Sequence, residues 1–154
     1  PAGLLHDFGR LALVKLFPFS MPAIAGFAKR NSLPLKEAEK RFLGWTTREI
    51  GDHLARHLGL PSIYCDVIRF VGTPEEMTGK NDMVALVTLA RDLCLRNQMG
   101  FSGEPPLPAL PLEETPAWQI LQQRVFPSFS LKKFESQTHT FCVTLKQELS
   151  GRIK

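Results

Sequence analysis

No stretch of this chain alternates apolar and polar residues, as a half-buried strand would, over more than a few positions. Its apolar residues recur instead at steps of three and four. Leu4, Leu5, Phe8, Leu11, Ala12, Val14 and Leu16 follow that spacing, with Pro1 placed to begin a helix and Pro18 to end it. Further helices are predicted over 22–30, between Pro22 and Asn31-Ser32, and over 35–43, between Pro34 and Gly44. In Thr46-Thr47-Arg48-Glu49 a hydroxyl and a following acid can satisfy the free amides of a helix start; Ile50, Leu54 and Leu58 share its face and Gly59 stops it. Pro61 opens a helix carrying Ile63, Tyr64, Val67, Ile68 and Val71. Asn81 or Asp82 caps another, Val84 to Cys94, whose apolar residues surround much of its circumference and predict a central place. The fold class expected is all-α.

Between Gly100 and Pro116 prolines and glycines alternate with small apolar residues, as in Glu104-Pro105-Pro106-Leu107-Pro108-Ala109-Leu110-Pro111, which predicts extended, non-helical backbone. After it come a short helix from Ala117 to about Val125 and a long one from Leu131. On the long helix Leu131, Phe134, Thr138, Phe141, Leu145 and Leu149 form a stripe, expected to pack on the bundle with Lys132, Lys133, Glu135 and Lys146 outside. A length of 154 residues with 44% apolar and 22% charged side chains suits one full-sized core. No run approaches the roughly 20 apolar residues a bilayer span requires, so no membrane partner is expected. The balance of +4 is spread over the length with acids interspersed, which argues against a nucleic-acid footprint. Cys65, Cys94 and Cys142 are odd in number and lack C-x-x-C spacing, which fits a reducing, cytoplasmic setting better than a disulfide framework or a zinc site. Pro1 in place of Met, with no basic segment before the apolar residues, reads as the start of a fragment and not as a signal peptide.

Chemistry-bearing constellations are few. His6-Asp7 could both face one metal, but a metal that activates water needs at least three protein ligands and an open position. His53 and His57 stand four apart on one helix, at the edge of its apolar face, and are read as structural; His139 is read as solvated. The P-x-x-P spacings at Pro105–Pro108 and Pro108–Pro111 are read as surface loop. There is no G-x-S-x-G, no Cys paired by motif with a His, and no Gly-rich phosphate loop.

Gly3-Leu4-Leu5-His6-Asp7-Phe8-Gly9-Arg10-Leu11 resembles the "GLLHDIGKL" helix of the HD superfamily and specifically of HDOD domains. Glu39-Lys40-Arg41-Phe42-Leu43-Gly44 resembles the acid-to-glycine stretch before the next helix of that family. Arg48 to Leu54, with Leu58-Gly59-Leu60-Pro61, is similar to that helix and its exit, and Val84 to Cys94 to the later core helix. The resemblance spans residues 3 to 98. It implies an HD/phosphodiesterase-like helical bundle, usually joined in bacteria to receiver, cyclase-like or other signalling modules, with an N-terminal part of the domain missing from this chain. The organisation expected is an HDOD-type core over 1–98, a Pro/Gly-rich loop over 99–116 and C-terminal helices over 117–154 packing on the same bundle.

The same resemblance places a histidine of active HD hydrolases at Thr47 and a His-His pair at Val71-Gly72. What is left is a degenerate remnant of His6 and Asp7 with Asp92, whose register is off by one, and with it the expectation of no catalytic residue, no metal and no cofactor. His6 and Asp7 are expected to bond each other or the backbone inside the bundle. The function expected is a non-catalytic signalling module of a bacterial regulatory protein whose partners are other signalling domains or proteins. The alternative is a metal-dependent phosphohydrolase acting on a cyclic dinucleotide or nucleotide.

Overall fold

The computed structural model describes residues 1–99 and 110–152, and side chains to residue 149. Among them the chain is all-helical: α1 (Ala2–Leu5), α2 (Phe8–Leu16), α3 (Ser20–Arg30), α4 (Leu35–Leu43), α5 (Thr47–His57), α6 (Ser62–Phe70), α7 (Asp82–Arg96), α8 (Pro116–Arg124) and α9 (Leu131–Arg152). Short 3-10 turns lie at Pro74–Glu76 and Leu112–Glu114. The second of these replaces part of the extended backbone expected before α8; the remainder of the proline run, with Pro105 and Pro108, lies outside the described residues.

The expected first helix is two. His6 and Asp7 sit at the break, where Asp7 leaves helical geometry (φ −101°, ψ 19°) and caps α2 with its carbonyl, which accepts from Arg10 N at 2.9 Å. The periodicity runs through the break because one residue of irregular backbone does not change which side the chain buries.

Four apolar clusters share out the bundle. Leu13 of α2 packs with Met21, Ile24 and Ala28 of α3 and Leu35 and Ala38 of α4, with Ile50 of α5 against them. Ala55, Cys65 and Ile68 join α5 to α6, with Phe8 against them. Val84 and Val87 place α7 against α6, while Ala85, Leu89 and Leu93 place it against Leu112, Ala117, Trp118, Leu121 and Leu131. The same helix therefore faces two clusters, as its two-sided apolar pattern requires. Among the described residues no single helix is long and apolar enough to cross a membrane.

The long α9 corrects an expectation. Leu131 is 3% exposed and Cys142 7%, but Phe141 is 65% exposed and Phe134 and Leu149 are also exposed. Lys146 and Glu135, expected outside, face α7: Lys146 Nζ donates to the Asn97 carbonyl at 2.6 Å, and Glu135 lies 4.0 Å from Arg96. His139 Nδ1 is 2.8 Å from Asn97 Oδ1, so it is bonded as well as exposed. The last carbonyls of a helix lack partners within it and carry the negative end of its dipole. The end of α7 thus draws the polar side of α9 inward and turns Phe134, Phe141 and Leu149 of the stripe toward water. Phe141→Ala should accordingly cost under about 1 kcal/mol, whereas Leu131→Ala should cost about 2–5 kcal/mol. Urea denaturation of the two variants checks the order, and a larger loss at Phe141 would show that its ring is covered in solution.

Candidate functional site

A cleft of about 430 Å³ opens where the start of α2, the start of α5 and the segment after α6 meet. Backbone contact between glycines builds it. A Cβ on Gly9 of α2 would stand 2.0 Å from the Thr47 carbonyl oxygen and 2.8 Å from Gly51 N, so α2 and α5 touch main chain to main chain. That crossing brings His6 and Asp7 beside Thr47 and Arg48.

The start of α5 is fixed from two sides. Thr46 Oγ1 accepts from Glu49 N and Glu49 Oε2 accepts from Thr46 N at 2.8 Å, a reciprocal capping box. Thr47, where the family resemblance would place a metal-binding histidine, bonds instead to Glu39 of α4. The Glu39 carboxylate, in a residue only 3% exposed, accepts from Thr47 N at 2.9 Å and from the Thr47 hydroxyl. The bond from the Thr46 amide, with Lys40 beside it, holds the Glu49 carboxyl below its ordinary range.

His6 and Asp7 both line the cleft, but they do not form a tight pair. His6 Nδ1 lies 2.6 Å from the Gly3 carbonyl, while its Nε2 is 4.0 Å from Asp7 Oδ2. Asp7 is not buried as expected: its side chain is 45% exposed, and Arg10 Nε lies 3.8 Å away. Asp92 is buried on α7 and pairs with Arg91 at 3.3 Å, outside the cleft lining; burial pushes its carboxyl up. The one-residue shift in register thus turns Asp92 away and brings Arg91 in. His53 and His57 are exposed on α5. Among the described residues, no three His, Cys, Asp or Glu side chains converge in a way that could hold a metal ion.

Arginines stand there instead. Arg10, Arg48, Arg69 and Arg91 all line the cleft. Gly72, at φ +88°, adopts a conformation that side-chain-bearing residues avoid. A Cβ there would lie 2.8 Å from Arg48 Nη2 and 3.6 Å from Arg91 Nη1. The two guanidinium groups thus take the space where the resemblance would put a histidine. Burial lowers the pKa of both, and each is lowered further by Arg10. Fixed cations around a point repel a divalent ion, so the residues present do not fit the metal centre of an HD hydrolase.

In the sequence Arg48 and Glu39 stand only as parts of motifs, and nothing singles out Arg91. Their one available signal was negative: the positions that lack a ligand are where other charges have room.

Comparison with known proteins gives a domain match and a fold match. Residues 1–74 match the model of the HDOD domain. Over 93% of this chain the fold matches the crystal structure of an HDOD domain protein with unknown function from Geobacter sulfurreducens, with a TM-score of 0.76 and 24% sequence identity. This chain spans 49% of the length of that one. No curated protein matches. Residues 1–74 are thus similar to the HDOD domain, and the chain shares its all-helical fold with the Geobacter sulfurreducens protein.

Proposed function

We propose that this chain is a non-catalytic HDOD module of a bacterial signalling or regulatory protein, working in the cytoplasm through contacts with neighbouring domains or protein partners. The observation that carries this reading is the pair Arg48 and Arg91 beside Gly72, where a hydrolase of the superfamily would need neutral imidazoles around a metal. Thr47 adds to it, because its hydroxyl is engaged by Glu39 and its position has no imidazole to offer. An output through contacts is supported by apolar side chains left in water on the first helices and the link between them: Leu4 is 88% and Phe19 89% exposed, and Leu11 and Leu16 are exposed as well.

The test is hydrolysis of cyclic dinucleotides, nucleotides and phosphomonoesters with Mn, Mg or Fe present, together with metal analysis of the purified protein. No turnover and no stoichiometric metal are expected. Metal-dependent turnover that disappears in Asp7→Ala would establish the phosphohydrolase instead.

A further inference from the structure

We infer that the cleft between α2, α5 and the end of α6 is an oxyanion site, anchored by Arg48 and Arg91, that takes the phosphoryl group of a small phosphorylated ligand. The inference concerns the cleft alone and stands whatever the output of the module is. Two guanidinium nitrogens lie 2.8 and 3.6 Å from where a Cβ on Gly72 would stand, so both groups converge on the bare face of that residue. An oxygen over that face has both groups within a few ångströms, and the planar fork of a guanidinium suits a phosphoryl group better than a point charge does.

The charges around the point are unevenly matched. Asp7 lies by Arg10, Glu39 is committed to Thr47, and Glu49 is shared among Thr46, Lys40 and Arg69. Arg91 shares its charge with Asp92. Arg48 forms no hydrogen bond or ion pair among the described residues, although Glu76, Asp7 and Glu39 act on it from farther off and Arg10 opposes them. A partly buried guanidinium that repels its neighbours and has no carboxylate in contact gains most from an incoming anion. With a volume of about 430 Å³ the cleft exceeds a single phosphate and lies in the range of small-molecule pockets, so the ligand has room for a body beyond its phosphoryl group. Half-buried Asp7 and exposed Glu76 are the acids that an anion would meet, and of the two Asp7 already has Arg10 beside it.

Calorimetric titration of the purified chain with inorganic phosphate, AMP and adenosine, at constant ionic strength set with chloride, tests this. Phosphate and AMP should bind saturably and adenosine should not. Arg48→Gln should weaken binding at least about tenfold, and Glu76→Gln should tighten it severalfold. AMP binding above phosphate identifies a phosphomonoester with a body in the cleft; equal binding identifies the free anion. Both outcomes support the site. No saturable binding of phosphate or AMP, adenosine binding as tightly as AMP, or affinity unchanged in Arg48→Gln would overturn it. Should Arg48→Gln fail to fold, the exposed Glu76→Gln decides: unchanged or weakened affinity also overturns the site. Binding accompanied by metal-dependent turnover would sink the non-catalytic reading and leave the anion site standing.

Discussion

Gly9→Ala should destabilise the protein by at least about 3 kcal/mol, at the upper end of what overpacking does. In a helix interior alanine normally gains about 1 kcal/mol over glycine, so helix propensity predicts the opposite sign. Packing decides here. The added carbon would meet the Thr47 oxygen at 2.0 Å and the nitrogen and Cα of Gly51 at 2.8 and 2.9 Å. All three are main-chain atoms that no rotamer change can move aside. Relief requires α2 and α5 to separate, which would loosen Leu13 and Ile50 from the α3 and α4 cluster and Phe8 from Ile68. Gly51→Ala should behave similarly, since its Cβ would meet Ile68 at 2.7 Å and Gly9 at 2.9 Å. Gly3→Ala is the control: it lies in α1 with nothing within 4 Å and should be neutral or up to about 1 kcal/mol stabilising. Chemical denaturation of the three variants measures this, and a Gly9→Ala protein as stable as the parent would refute the close crossing.

That crossing also marks how much the sequence makes legible. Helices show through their periods and stops: Pro34 and Gly44 bound α4, Thr46 caps α5, and the two-sided apolar pattern of α7 matches its two clusters. A glycine pair forty-two positions apart leaves no periodic trace, because the feature that matters is a missing atom on each partner. The orientation of α9 was misread for a related reason. Its stripe of large apolar residues is real, but the end of α7 offers Asn97 and Arg96 to Lys146, His139 and Glu135, and those contacts turn the helix. Hydrophobic periodicity weighs only area, and here polar groups at a helix end set the rotation.

The candidate site was legible in part. His6-Asp7 and the absent histidines at Thr47 and Val71-Gly72 could be read from sequence, and the structure brings His6, Asp7, Thr47, Val71 and Gly72 to one cleft. The burial expected of Asp7 did not hold, because the helix break at this residue turns its side chain toward solvent beside Arg10. The arginines leave no such trace in the sequence, since they come from four separate helices and share no motif.

Glu39→Ala should cost about 2–4 kcal/mol, because it strands the amide and hydroxyl of Thr47 at a buried helix start. A hydrogen bond to a charged group contributes about 1.5–3 kcal/mol, and two such bonds are lost; relief of the carboxylate's own desolvation offsets part of the sum. The first amides of α5 have no partners within the helix, and its positive end favours the carboxylate. Glu39→Gln should cost less, since its amide oxygen still accepts one bond and the rotatable Thr47 hydroxyl can turn to accept from the new NH₂. Because the pair is buried, the loss in Glu39→Ala should change little between low and high salt, unlike that of an exposed ion pair. A double-mutant cycle with Thr47→Val isolates the side-chain bond, and coupling near zero would show that the two groups do not meet. The same variant separates two roles for an acid in this cleft. If Glu39 served a metal, its removal would change metal affinity and spare stability; if it ties α4 to α5, stability falls and metal binding is unaffected. The second outcome is expected, since both oxygens of the carboxylate are already engaged by Thr47.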